Sequence, residues 1–361
     1  MAFGHSRRDF LKFTLTSGAA AVVATHWARS ARAGAPTRPA TMPARPPAPP
    51  VAVLPAVGVS RVALTTGEDR ADIAFQALKT FQKEITAAIG DKRIILKPNN
   101  VFAARPLACS DPKNLEGALE FLKSIGKVNN VIIAESGATS PTLEGFEALG
   151  YNALAAKYGV KLVDLDAEGF EVLPCFDQTD LRPHPARFSK LLLDPNTFII
   201  SAAKLKTHDR AVATLSLKNI VFGAPLKIGG GNDKPIVHGS GIYGTNFNLA
   251  LMAPRLHPHL ALIDGYQGME GNGPGGGAAV EQRVCVASLD WLAADRVGIE
   301  LMGIDPAKVG YLNYCSQNGM GQYNLDQIEV LGAAVKDHIK SYKLHDGIEQ
   351  QYQWMTPPKL G

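Results

Sequence analysis

The stretch TFIISAAKLKTHDRAVATLSLKNIVFG, residues 197–223, begins as a buried strand and ends as a helix. Thr197 to Ser201 is a short apolar run, and from Ala211 to Phe222 the apolar positions fall at helical spacing. Between them come Lys204, Lys206, Thr207 and His208. Short apolar runs that alternate with helical segments argue for parallel strands joined by helical crossovers. The expected fold is therefore α/β, a mostly parallel open sheet with helices on both faces.

Outward from this stretch the same alternation recurs. Arg61 to Thr65, Arg93 to Lys97, Asn130 to Glu135, Lys161 to Leu165, His259 to Ile263 and Arg283 to Ser288 read as strands. Helical patterns cover Ala71 to Ile89, Asn114 to Ile125, Thr142 to Tyr158, Gly244 to Leu256, Trp291 to Met302 and Pro306 to Gln317. Asp111-Pro112 supplies an N-cap and a first-turn proline for the second of these. No internal repeat or second linker interrupts the pattern, so residues 57–335 form one α/β domain, followed by a C-terminal tail, 336–361.

Ligands of open parallel sheets bind beyond the carboxyl ends of the strands, and here those ends are polar. RIILKPNNV (93–101) delivers Lys97, Asn99 and Asn100. NVIIAESGATS (130–140) delivers Glu135, with Ser136, Thr139 and Ser140 behind it. The opening stretch delivers Lys204, Lys206 and His208, then a helix on which Thr214 and Lys218 share a face and Asn219 follows. HLALIDGYQGMEGNGPGGG (259–277) delivers Asp264 and then Glu270 inside a glycine loop. Taken singly, each is most simply a solvated side chain or a turn; together they outline a site. Lys97, Asn99, Asn100, Lys204, Lys206, Lys218 and Asn219 are the expected anion-binding set. His208, Asp264, Glu270 and Glu135 are the expected acid-base residues, and the same four offer oxygen and imidazole ligands for a divalent metal, without a ligand spacing that demands one. The phosphate-loop, dinucleotide, zinc-protease and esterase motifs are missing from the sequence.

The N-terminus is of another kind. Arg7 and Arg8, followed by Phe10, Leu11 and Lys12, precede an apolar run from Phe13 to Ala24 and an Ala31-Arg32-Ala33 cleavage site. This resembles a twin-arginine export signal, residues 1–33, and its apolar run is shorter than the ~20 residues that span a bilayer. No stable membrane span is expected after cleavage. Residues 34–56, GAPTRPATMPARPPAPPVAVLPA, are too proline-rich to build helix or central sheet and read as an extended leader. The signal holds five Lys or Arg and one Asp, a net +4 that equals the +4 of all 361 residues. The mature chain is thus near neutral, with no basic field to draw nucleic acid. Its clustered lysines are a local feature that calls for a small anion: phosphate, sulfate or carboxylate. The expected partners are the export machinery and that anion, and the expected location is periplasmic or otherwise extracytoplasmic. Cys109, Cys175, Cys285 and Cys315 are scattered without a metal-binding spacing and read as small core residues.

VALTTGEDR, ILKPNN, IIAESG, AAKLKTHDRAVATLSLKN, LALIDGYQGMEGNGP and LDWLAADRVGIELMGIDPAKVGYL resemble, in order and spacing, the domain of unknown function 362 family. The likeness runs from about Val59 to Gly332. Many members carry an added ferredoxin-like segment whose cysteines hold iron-sulfur clusters; this chain departs there, so no such cluster is expected. Two functional readings follow. One is an exported enzyme doing acid-base or hydrolytic chemistry on a phosphorylated, sulfated or carboxylated substrate. The other is a non-catalytic ligand- or cofactor-binding or assembly protein, associated with redox or iron-sulfur systems, in which the lysines serve affinity alone.

Overall fold

Apolar runs with few internal polar residues become the strands of a central sheet in the computed structural model, which describes residues 58–357. The expected export signal, 1–33, and the expected proline-rich leader, 34–56, lie outside the described residues. The strands are β1 (Ser60–Thr66), β2 (Arg93–Lys97), β3 (Val131–Glu135), β4 (Lys161–Asp164), β5 (Phe170–Asp177), β6 (Arg182–Ser189), β7 (Thr197–Thr207), β8 (Ala213–Thr214), β9 (Lys227–Ile228), β10 (Gly231–Asn232), β11 (Leu260–Asn272), β12 (Gly276–Ser288) and β13 (Ile328–Gly332). Nine of them form one sheet in the order β13-β1-β12-β11-β7-β2-β3-β4, with β8 paired to β7. The pairs β13/β1, β11/β7, β7/β2, β2/β3 and β3/β4 are parallel; β12 runs antiparallel to both of its neighbours. The fold is α/β, with a mostly parallel sheet.

Alternating residues send side chains to opposite faces. Ala63, Ile94, Leu96, Ile133, Ile200 and Leu262 belong to one apolar core with Ile73, Leu78, Leu115 and Phe121 of the helices Arg70–Lys79 and Pro112–Ser124. On the other face, a Cβ added to Gly298 of helix Trp291–Leu301 would meet Leu215, Leu205 and Ile263 at 3.1–3.7 Å. Helices therefore cover both faces. Asp111 caps its helix as its sequence implies, accepting from the Lys113 N–H at 2.8 Å.

Several expected elements differ. The strand expected to stop at Ser201 continues to Thr207 and is buried along its whole length, so Lys204 and Lys206 lie within a strand rather than beyond one. The helix expected from Ala211 starts at Ser216: Val212 adopts φ 63°, and Ala213–Thr214 pairs with Lys206 and Thr207. Thr214 is thus no helical neighbour of Lys218. The glycine loop expected to carry Glu270 is a hairpin in which Glu270 pairs with Ala278, because GYQGMEGN and GGAAVEQR form complementary strands. The helices expected over 71–89 and 142–158 are each broken, the second at Gly150 with φ 79°.

The cysteines are all buried and unpaired to one another. The segment set apart as a tail packs on the domain through Tyr342 and Trp354, which are 6% and 4% exposed. Among the described residues no helix is long and apolar enough to cross a membrane.

Candidate functional site

Beyond the carboxyl ends of β2 and β3, and beside the turn after β7, lies a cleft of about 510 Å³. Lys97 enters it because Pro98 stops β2 and turns the chain aside. Its Nζ donates to Glu135 Oε2 at 2.7 Å, the Pro98 carbonyl at 3.1 Å and Asn219 Oδ1 at 3.4 Å. Burial lowers its pKa, and the facing Glu135 charge opposes that. Glu135 is held in turn by the Ser136 N–H (2.8 Å) and the Asn100 N–H (3.3 Å).

Asn219 ties the end of β2 to the middle of β7. Its Nδ2 donates to the Lys97 carbonyl and to Ser201 Oγ, while its Oδ1 also accepts from Asn99 Nδ2 at 3.1 Å. The short helix Ser216–Val221 that carries it is capped from outside: Asp295, on helix Trp291–Leu301, accepts from the Ser216 N–H (2.8 Å), the Ser216 hydroxyl (2.5 Å) and the Leu217 N–H (3.2 Å). This is the N-terminal requirement of any helix, met here by a distant acid.

The same helix presents Lys218 to the cleft, buried, with Nζ 4.7 Å above the Phe222 ring. Burial, reinforced by the Lys206 charge, pulls Lys218 down to about 7. His208 lines the wall beside it. The Arg210 N–H and Asp209 Oδ1 both approach His208 Nδ1, at 3.1 and 3.0 Å. Burial and the Lys218 charge hold His208 down at about 3, which makes it a neutral hydrogen-bonding group at ordinary pH and a weak proton acceptor. Burial alone would raise Asp209, but the His208 contact and the Lys218 charge hold it low. The loop is fixed from the far end of the chain: Gln351 Oε1 accepts from the Val212 N–H at 2.7 Å.

Lys234 completes the cationic lining. It opens the short helix Lys234–Val237, with its N–H bonded to Asn232 Oδ1 and its Nζ bonded to the Pro225 carbonyl at 2.9 Å. Burial lowers it to about 8, against the Glu135 charge. His238 packs against Phe222 with the rings tilted by 51° and their centroids 4.4 Å apart, and gives Nδ1–H to the Lys234 carbonyl; burial brings it to about 4. Lys234, His238, Arg210 and Phe222 were not singled out in the sequence. The only signal for Lys234 was the Asp-Lys-Pro helix start after a glycine run, which by itself marks a turn.

The expected site residues thus fall into three groups. Lys97, Asn99, Asn100, Glu135, His208, Lys218 and Asn219 line one cleft. Lys206 lies behind it, its Nζ bonded to Asn99 Oδ1 (2.9 Å) and to the carbonyls of Ala108 (2.6 Å) and Pro274 (3.1 Å); it braces Asn99 from below. Lys204, Asp264 and Glu270 do not line the cleft. Lys204 bonds Asp264 directly across the β7/β11 register at 3.2 Å, and Glu270 accepts from the Lys343 N–H at 2.8 Å. Among the described residues no three His, Cys, Asp or Glu side chains come together as a metal-holding group, so the four expected ligands are not brought to one point.

Two buried polar side chains on the cleft wall have no hydrogen-bond partner among the described residues: the Asn100 amide, at both Nδ2 and Oδ1, and the Thr214 hydroxyl. Orphaned polar atoms at a cleft wall mark where a ligand's own polar groups would sit.

No solved structure matches the chain. A thylakoid-associated protein of Synechocystis sp. is 26% identical over 222 residues, which span 60% of this chain and 65% of that protein. Residues 94–300 match the family described as Domain of unknown function (DUF362). That match takes in β2, β3, β7, the capped helix, Lys234 and the acid that caps it, and the chain belongs to the domain of unknown function 362 family.

Proposed function

We propose that the cleft binds a small phosphorylated, sulfated or carboxylated ligand and carries out acid-base chemistry on it. The observation that carries this reading is that Lys97, Lys218 and Lys234, three buried ammonium groups, line one cleft together with Arg210, while Glu135 and Asp209 are the carboxylates beside them. Buried cations without enough counter-charge are stabilised by an anion. Lys218, lowered to about 7, is the group suited to exchange a proton near neutrality. Lys97 and Asn219 orient the ligand, and Asn100 and Thr214 bind its neutral polar groups.

A second reading, a binding or assembly protein without turnover, is favoured by one observation. Asp264 and Glu270 are engaged in the scaffold and Glu135 is paired to Lys97, so no carboxylate of the expected acid-base set stands unpaired in the cleft. The location proposed for the chain is extracytoplasmic, by a twin-arginine route. The paired Arg7-Arg8 signal supports it, as does the relative's description as thylakoid-associated.

Thermal unfolding of the full chain with sulfate, phosphate and small carboxylates, compared with chloride at equal ionic strength, tests the anion site. The expected outcome is a rise in Tm that is lost in Lys234→Gln. Equal Tm with all of these salts would remove the reading. Replacing Arg7 and Arg8 by Lys should retain an uncleaved precursor in the cytoplasm, and normal export of that variant would remove the route.

A further inference from the structure

Lys97, Lys204, Lys206, Lys218 and Lys234 are all buried, but they are not equivalent. Lys97 is engaged by Glu135, Lys204 by Asp264, Lys206 by Asn99 and two carbonyls, and Lys234 by the Pro225 carbonyl. Lys218 Nζ has no hydrogen bond or ion pair among the described residues and lies over the Phe222 ring, 4.7 Å from its centroid. An amine enclosed on an aromatic face, near other cations and open to a cleft, has the surroundings that make lysine a nucleophile.

We propose that Lys218 is a carbonyl-condensing amine, and that the ligand is an anion bearing an aldehyde or ketone, such as a 2-oxo acid or a phosphorylated aldehyde. The proposal rests on the anion-site reading and names the substrate class for it. The Nζ lone pair forms a C–N bond to the carbonyl carbon while the C=O π pair moves to oxygen. The resulting carbinolamine loses that oxygen together with the two amine protons as water, leaving C=N. Atoms and electrons balance with no oxidant or reductant. Lys97 and Lys234 hold the anionic end, and the unpartnered Thr214 hydroxyl offers a donor to the oxygen of the carbinolamine. The depressed ionisation of Lys218, brought about by burial and the neighbouring Lys206, keeps a share of the amine neutral at physiological pH.

The test is reductive trapping. The full chain is incubated with pyruvate, glycolaldehyde phosphate or acetaldehyde, then with borohydride, and read by intact mass and peptide mapping. The expected result is a single adduct on Lys218 with an anionic carbonyl, of the mass of that compound less one oxygen. Sulfate should suppress it, Lys218→Arg should abolish it, and acetaldehyde should not reproduce it. Adducts spread over surface lysines alike in wild type and Lys218→Arg would overturn the proposal. So would an absence of any Lys218 adduct while sulfate still raises Tm, and in that case the anion site itself stands. If neither trapping nor sulfate stabilisation occurs, both readings fall. Suppression by sulfate is read on the wild type, so the test holds even if the Arg variant does not fold.

Discussion

Gly223 is a cleft residue whose missing side chain decides where Lys97 lies. A Cβ there would fall 2.1 Å from Lys97 Nζ and 2.6 Å from the Asn219 carbonyl. Gly223→Ala must therefore push Lys97 away from Glu135 or shift the helix that carries Asn219. Overpacking of this kind costs about 1–3 kcal/mol, and here it should also weaken sulfate binding. Denaturant unfolding with a sulfate titration checks both, and wild-type values for the two would show that Lys97 has room to spare. Such a role is invisible in sequence, where Gly223 is one small residue after an apolar helix. Lys97 itself was legible because Pro98 ends its strand. Lys204 was legible as a cation but not as a scaffold residue, since its Asp264 partner is fixed by strand register sixty positions away.

At the scale of elements, the short helix Ser216–Val221 depends on an acid from another helix. Asp295→Ala leaves two backbone N–H groups and the Ser216 hydroxyl without their acceptor, a loss of about 2 kcal/mol or more, measurable as a lower Tm. Burial, outweighing these hydrogen bonds, raises Asp295 to about 7 from the ordinary 3.8. A raised folded value contributes stability that is complete below 3.8 and is lost as pH climbs through about 7. Asp295→Asn should therefore flatten the fall in Tm between those limits, and an unchanged slope would assign it to other groups. The strand and helix periods were readable in most of the sheet because both faces are covered and apolar runs are long. They misled at β7, where lysines sit inside a buried strand beside partners that sequence cannot see. They misled again at Val212, whose left-handed backbone breaks a stretch with good helical spacing. The β5/β6 hairpin was missed because its prolines and charges hide the two-residue alternation, as suits a hairpin outside the main sheet.

For the whole molecule, the proposed anion site would couple stability to anion and proton through the buried lysines. Lys218 at about 7 and Lys234 at about 8 lie below the ordinary 10.5. Lowered folded values stabilise the unliganded fold above 10.5, and that contribution is lost as pH falls through about 8 and then 7. An anion binds the protonated form, so sulfate affinity should be constant below about pH 7 and decline above it, with Lys218→Arg shifting the decline to higher pH. Calorimetric titration across this range checks the sign, and an affinity that rises with pH would contradict it. The near-neutral total charge of the residues after 33 was legible at once by counting, whereas the burial of Lys97, Lys204, Lys206, Lys218 and Lys234 was not.

The Gln351 contact to Val212 joins the last helix of the chain to the turn that bears His208, Asp209 and Arg210. A nick in the segment near Lys343 would leave the sheet and its core intact, yet release the latch on that turn. The C-terminal segment therefore helps hold one wall of the cleft, and a protease able to reach it should loosen that turn, and with it any affinity of the proposed anion site, before it unfolds the protein.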